Sequence, residues 1–447
     1  MKPSTPHILL VNPWIHDFAA YDFWSKPLGL LILAGILRRH DLVVSYIDCL
    51  DRHHPRTATV EKRARCGRGP YHKTPIRKPA PLANVPRTFS RYGIKPEWFR
   101  SDLAGIPRPD LILVTSLMTY WYTGVQETVA ELRRKWPDVP ILLGGIYATL
   151  CPEHARRHAG ADTVVTGPGE AVLLDRLEGV TGFRAAPRFD FEDLDAYPYP
   201  AFDLQRRIDY VALMTSRGCP YRCPYCASGL LQPQYRRQRP ERVFEEIRHW
   251  HDNSGVRDFV FYDDALLYDA ENHLLPLLEK IIALPCRLRF HTPNALHIRW
   301  ITPAVAQQMH KAGFETVRLG LETAANEGRQ GLDHKTSVAQ FRQAVQNLIR
   351  AGFSSDRIGA YLLVGLPGQT MASVAESIQI VKDSGATPVP AYYSPIPQTA
   401  LWAEAAAASR YDLEADPLYT NNALLPCQLQ PFSWQQLSRI KAMAAAG

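Results

Sequence analysis

Short apolar runs alternate with helix-patterned stretches along most of this chain, in two successive sets. A strand buried on both faces reads as an unbroken apolar run, and a crossover helix between two such strands makes them parallel. In the first set the strand candidates are residues 7–11, 43–47, 110–114, 140–143 and 163–165, with helices at 28–39 and 124–135. This order predicts an α/β, Rossmann-like, doubly wound parallel sheet. Such sheets bind ligands beyond the carboxyl ends of their strands. The functional loops are therefore expected at 12–24, 115–122, 144–153 and 166–170. In the second set the strand candidates are 210–214, 258–262, 287–291, 316–321, 359–364 and 389–393, with helices at 240–253, 274–284, 303–312, 338–351 and 371–384. Six repeats fall short of the roughly eight that close a barrel. They predict a partial (β/α)6 barrel, again with its site at the strand C-termini.

The expected division is a Rossmann-like domain at 1–182 with a basic insertion at 52–100, a linker at 183–208, a barrel at 209–400, and an extension at 401–447 ending in a helix at 434–446. The linker stretch lacks periodicity and is rich in Pro, Asp and aromatics.

At 447 residues, 46% hydrophobic and 21% charged, the composition fits a globular enzyme. The longest apolar run, 28–37, is too short to span a bilayer, and the N-terminus has no signal-peptide layout. A cytoplasmic protein without a membrane partner is expected. The net charge of +7 is partly local, since residues 52–100 hold thirteen Lys and Arg against Glu61 and Glu97. A segment of this kind serves an anionic partner or is a solvated basic surface. No aromatic platform and no nucleic-acid module accompany it, so no nucleic-acid partner is expected.

The chemistry is concentrated in Cys219-Pro220-Tyr221-Arg222-Cys223-Pro224-Tyr225-Cys226, directly after the strand candidate at 210–214. Thiolates are the usual protein ligands of iron–sulfur clusters, and three of them leave one iron of a [4Fe–4S] cubane open. Zinc usually takes paired Cys elements that close four ligands, and no second pair lies nearby. Eight cysteines in a long chain without a secretory signal also argue against a disulfide framework.

This loop resembles the signature of the radical S-adenosylmethionine (SAM) superfamily, with the aromatic Tyr225 before the last Cys. The resemblance covers roughly 209–400. It implies a cluster on Cys219, Cys223 and Cys226 that cleaves SAM reductively to a 5′-deoxyadenosyl radical. It also implies a small-molecule substrate and an electron donor such as flavodoxin or ferredoxin. After the second strand, Asp263-Asp264 stands where the superfamily often has Gly-Gly-Glu to hold the methionine amino group. Carboxylates suit an ammonium; a solvated turn is the alternative. Asn294 after the third strand is a candidate for the nucleoside. Along the fourth strand, alternation puts Arg318, Gly320 and Glu322 on one face, where buried charges need a partner or a ligand. The resemblance assigns this strand end to the SAM carboxylate and ribose. Gly365 follows the fifth strand, and the resemblance implies that backbone approaches the adenine there, because Gly removes the side chain.

The first set resembles the cobalamin-binding domain that precedes many radical SAM cores. The resembling residues are Thr115-Ser116-Leu117 and the pair Gly144-Gly145, which line the slot for the nucleotide tail in that family. The loop Asn12-Pro13-Trp14-Ile15-His16-Asp17 lacks the D-x-H-x-x-G pattern that supplies an axial histidine. His16 is a ligand candidate by offset and otherwise an ordinary loop histidine. An open lower face favours methyl transfer to or from cobalt; it equally fits a loss of cobalamin binding. Cys49, Cys66 and Cys151 are too dispersed for a second cluster, and Cys286 and Cys427 read as ordinary thiols, Cys427 with a possible substrate-site role. The reading is a radical SAM enzyme with a cobalamin-binding-like domain, a cobalamin-dependent C-methyltransferase on an unactivated carbon. The alternatives are a radical SAM cyclase or oxidoreductase, with or without cobalamin, and a non-catalytic cobalamin or redox sensor.

Overall fold

The computed structural model describes residues 5–57, 66–324, 337–428 and 434–445. They form two compact units, Met1–Asp209 with Asp416–Tyr419, and Tyr210–Ala415 with Thr420–Gly447.

The first unit is built on β1 (His7–Asn12), α1 (Leu28–Arg39), β2 (Val43–Asp48), β3 (Leu111–Val114), α2 (Tyr122–Lys135), β4 (Ile141–Leu143) and β5 (Thr163–Val164). The strands are parallel in the order β2-β1-β3-β4-β5. Ile8, Leu9, Leu10 and Val11 of the interior strand are fully buried, as helices on both faces require. The doubly wound sheet is the one the sequence predicts. The stretch 183–208 packs on α1. Ala201 N donates to Leu31 O at 3.0 Å, and a Cβ on Gly35 would stand 2.6 Å from Tyr199 O, so only Gly admits that backbone.

The basic insertion builds a small antiparallel sheet in which Ile15–Asp17, Ser90–Tyr92 and Lys73–Pro75 lie side by side. Much of its charge is paired within this unit. Arg91 pairs with Glu127, Arg100 with Glu131, and Arg52 with Asp22 and Asp209. A short segment from far along the sequence also belongs here: Tyr122 Oη donates to the Asp416 carboxylate at 3.1 and 3.0 Å.

The second unit runs β6 (Val211–Leu213), α3 (Pro240–Ser254), β7 (Asp258–Phe261), α4 (Leu274–Ile282), β8 (Arg289–His291), α5 (Pro303–Ala312), β9 (Phe314–Glu322), α6 (Val338–Ala351), β10 (Ile358–Val364), α7 (Met371–Asp383) and β11 (Thr387–Tyr392). The strands are parallel and pair in sequence order from β6 to β11, giving the expected partial barrel. Thr302, Ser337 and Thr370 cap α5, α6 and α7, and Gly255, Gly313 and Gly352 end α3, α5 and α6 in left-handed conformations. Phe259, Phe261, Phe290 and Phe314 stack at 5.6–5.8 Å to form an apolar layer under the helices. Leu296–His297 adds a short parallel pairing to β9 after β8, a detail the sequence pattern does not carry. The C-terminal helix spans Trp434–Ala445 and packs on β11 and α7. Among the described residues, no helix is long and apolar enough to cross a membrane.

Candidate functional site

The cysteine loop follows β6 directly. Its entry turns at Gly218, whose φ of +77° and contact with Gln234 O (2.6 Å from a would-be Cβ) require glycine. Cys219, Cys223 and Cys226 take part in no disulfide bond, and the loop closes with Cys226 N donating to Cys223 O at 3.1 Å. Leu401 N donates to Pro224 O at 2.8 Å, which fixes the outer turn. Tyr221 stacks on His297 at 4.5 Å, and its hydroxyl accepts from Trp300 Nε1 at 2.7 Å.

All three cysteines face a cleft of about 320 Å³ at the strand C-termini. Tyr225, Asp264, Asn294 and Glu322 line the same cleft. Asn294 Nδ2 donates to Tyr262 O at 2.8 Å, tying the loop after β8 to the one after β7. Glu322 has φ +61°, uncommon for a non-glycine residue, and the register with β10 shifts between Gly320 and Glu322. The bulge turns its carboxylate over Gly320, where a Cβ would lie 3.0 Å from Oε1. Held strain of this kind clusters at ligand sites.

Three candidates stand elsewhere. Asp263 is buried and turned beneath the cysteine loop. Its carboxylate accepts from Thr215 N and Oγ1 and from Ser216 N and Oγ at 2.6–3.2 Å. Burial pushes this carboxyl up to about 6, against the downward pull of those hydrogen bonds. The adjacent aspartates therefore differ in duty: Asp264 looks into the cleft, and Asp263 anchors the chain entering the loop. Arg318 donates to Val317 O at 3.2 Å and lies against Gly359, outside the cleft lining. Gly365, at φ +93°, donates to Gln369 Oε1 at 2.7 Å and also lies outside that lining. Sequence reasoning missed Tyr221, Ser228, His297 and Trp300. Tyr221 sits inside the cysteine motif and was in view; the other three carry no local signal.

In the first unit the loops after β3 and β4 meet. Ser116 is buried; its Oγ donates to Gly144 O at 2.7 Å, and its carbonyl accepts from Ile146 N at 2.8 Å. Gly145 has φ +97° and ψ −165°, and a Cβ there would stand 2.3 Å from Ser116 O. Gly144 is open, with nothing closer to a would-be Cβ than Val165 O at 4.0 Å. Thr115 and Leu117 flank the clasp and are half-buried. The junction thus presents bare backbone at the carboxyl edge, which suits a bulky ligand recognised by shape.

His16 is away from that role. It lies on the strand Ile15–Asp17, only 6% exposed, with Nε2 2.8 Å from Glu127 Oε2. Burial pulls its pKa below the usual histidine value, against the upward pull of Glu127. Burial works to raise Glu127, yet hydrogen bonds from His16 and Arg91 hold it at about 2. Cys49 is fully buried, and burial raises its pKa. Cys427 is also buried, raised to about 12 by burial, with Sγ donating to Ala405 O at 3.6 Å.

A Radical SAM superfamily model matches residues 213–381, and a B12 binding domain model matches residues 99–176. An uncharacterized methyltransferase of Pyrococcus horikoshii is 27% identical over 321 residues, covering 63% of this chain and 66% of that protein. The anaerobic magnesium-protoporphyrin IX monomethyl ester cyclase of Cereibacter sphaeroides is 23% identical over 312 residues, covering 62% and 50%. The chain thus spans about half to two thirds of the length of these curated relatives. Among solved structures, the radical S-adenosylmethionine methyltransferase TsrM from Kitasatospora setae, with cobalamin and a [4Fe-4S] cluster bound, has a similar fold. Its TM-score is 0.65 at 17% identity, covering 90% of this chain and 78% of that one.

Proposed function

We propose that this chain, which carries a radical SAM domain and a B12-binding domain, is a cobalamin-dependent radical SAM C-methyltransferase acting on an unactivated carbon of a small molecule. The observation that carries the reading is the cleft in which three cysteines of one loop face Asp264 and Glu322. Three thiolates fit a [4Fe–4S] cluster with one iron left for a ligand, and the Ser116–Gly144 junction fits the tail of a cobalamin. When bound, the cluster supplies the electron that cleaves SAM to a 5′-deoxyadenosyl radical, and cobalamin carries the methyl group.

The protein's own residues bind and orient. Cys219, Cys223 and Cys226 hold the cluster. Asp264 receives the methionine ammonium, because its carboxylate stands beside the thiols in the cleft. Glu322, fixed by its bulge, accepts from the ribose hydroxyls. Asn294 and Tyr225 flank the nucleoside. Asp263 holds the loop entry in register. Thr115, Ser116, Leu117, Gly144 and Gly145 would form the edge that holds cobalamin. A low-potential donor of the flavodoxin or ferredoxin class delivers the electron.

The test is SAM stoichiometry. Anaerobic protein loaded with iron, sulfide and cobalamin, incubated with SAM and a metabolite extract of a strain lacking this protein, should form S-adenosylhomocysteine and 5′-deoxyadenosine in equal amounts, with label from methyl-deuterated SAM in one new product. Formation of 5′-deoxyadenosine without methyl label would replace methyl transfer by a cyclase or oxidoreductase reaction.

A further inference from the structure

One hydrogen bond ties the loop of the thiols to the strand of Glu322. Tyr221 lies between Cys219 and Cys223, and its Oη accepts from Trp300 Nε1 at 2.7 Å. The direction is settled, because an indole N–H only donates. The Tyr221 ring stacks on His297 at 4.5 Å, and Tyr268 stands nearly at right angles to Tyr221 and to Trp300, at 6.5 and 6.0 Å. The far side of this contact belongs to β9. Leu296 and His297 pair in parallel with Leu319 and Gly320. His297 Nδ1 accepts from Arg299 N at 3.3 Å, which caps the turn Ile298–Trp300. Just beyond, Asn347 Nδ2 of α6 donates to Ile301 O at 2.8 Å. Trp300 is thus fixed to the strand whose bulge, past Gly320, turns Glu322 into the cleft. Tyr221, Tyr268, His297 and Trp300 line the same cleft as the three cysteines.

A ligand gripped at both ends binds more tightly than either half, by a factor that depends on the span between the grips. When the span is slack that factor falls, while each grip keeps its own affinity. We propose that Tyr221 and Trp300 are positioning residues that set the span between the thiols and Glu322, and with it the affinity for whole SAM. The inference rests on the proposed function, which puts the amino acid end of SAM beside the thiols and its ribose at Glu322. Both residues act through the walls they join, Tyr221 through the backbone between two cysteines and Trp300 through the pairing with β9. Stacked rings slide over one another, whereas a hydrogen bond fixes both distance and direction.

The experiment is anaerobic calorimetry on protein reconstituted with its cluster and kept oxidised, so that SAM binds without being cleaved. The probes are SAM, methionine for the one grip and 5′-methylthioadenosine for the other. Tyr221→Phe keeps the ring and its stack but removes the acceptor; Trp300→Phe removes the donor. Each should weaken SAM about fivefold, the worth of one neutral hydrogen bond, with iron content and the affinities for both fragments unchanged. The double variant should weaken SAM no further, since both changes break the same bond. Unchanged SAM affinity in Tyr221→Phe overturns the proposal by itself. So does a fragment that weakens as much as SAM, because a grip and not the span is then damaged. Should the fragments bind too weakly to read, the cycle decides: additive losses in the double variant overturn the proposal. Failure of wild-type protein to bind SAM with its cluster in place would instead sink the functional reading, a distinguishable result.

Discussion

The carboxyl edges of the two parallel sheets are finished in opposite ways. In the second unit the edge is left open, and the groups that face it are reactive: three thiols, Asp264, and the strained Glu322. In the first unit the edge is largely filled. The insertion lays strands beside Ile15–Asp17, His16 is buried against Glu127, and what remains at the β3 and β4 loops is backbone and a buried serine. On the proposed function, one edge would recognise by charge and coordination, and the other by shape. The first kind fails by losing a ligand atom, the second by gaining an atom.

That contrast breaks most readily at the thiols. Replacing Cys219, Cys223 and Cys226 together by Ala should abolish iron content and SAM cleavage while cobalamin uptake survives. Iron and sulfide assays beside the cobalamin absorbance read both edges at once, and loss of both would show that the edges are not independent.

The next largest effect lies in the first unit. Gly145→Ala puts a side chain into a backbone region open essentially to glycine alone and within 2.3 Å of Ser116 O. The cost is about 2–5 kcal/mol from strain and overpacking together. Gly144→Ala meets no such contact and should leave the melting temperature nearly unchanged while weakening cobalamin uptake. If Gly144→Ala and Gly145→Ala destabilise equally, the clasp between Ser116 and Gly145 is misplaced.

Asp264→Asn and Glu322→Ala should each weaken SAM binding by about 1.5–3 kcal/mol, the worth of a charge-assisted hydrogen bond. Both should retain the cluster. Asp263→Asn should do the reverse, lowering cluster loading with little change in affinity for SAM in the fraction that loads. Equal behaviour of Asp263→Asn and Asp264→Asn in these two assays would erase the distinction between neighbours.

The smallest effect is expected at His16. Its folded-state pKa lies below the unfolded value because of burial. The unfolded chain therefore binds the extra proton first. Stability from this group is complete above about pH 6.5 and is lost as the pH falls below it. His16→Gln should flatten that part of the pH–stability curve, and the EPR spectrum of bound cob(II)alamin should not change. A nitrogen splitting that vanishes in the variant would return His16 to the cobalt.

Both sheets were legible in the sequence, because parallel strands buried on two faces leave unbroken apolar runs that turn signals punctuate. Of the reactive edge, the thiols were legible through spacing, and Asp264, Asn294 and Glu322 through their places at strand ends. Asp263 was not separable from Asp264, since alternation beyond a strand's last residue no longer says which way a side chain turns. Arg318 shares its strand face with Glu322, but the bulge at Gly320 lets only the latter reach the cleft. Ser228, His297 and Trp300 were invisible because their roles arise from contacts between loops, which no local pattern encodes. The insertion's two strands, three residues each, are too short to show a period. The stretch 183–208 read as a linker because irregular backbone that packs on a helix looks the same in sequence as backbone that packs on nothing.

The hydroxyl of Tyr122 has its acceptor at Asp416, almost three hundred positions downstream. On a ribosome that acceptor does not yet exist while the first sheet is being assembled. Any folding of the first unit during synthesis therefore proceeds with Tyr122, at the start of α2, still waiting for this acceptor. All the strands of the barrel are translated in that interval, so the contact that completes the earlier unit can form only after them.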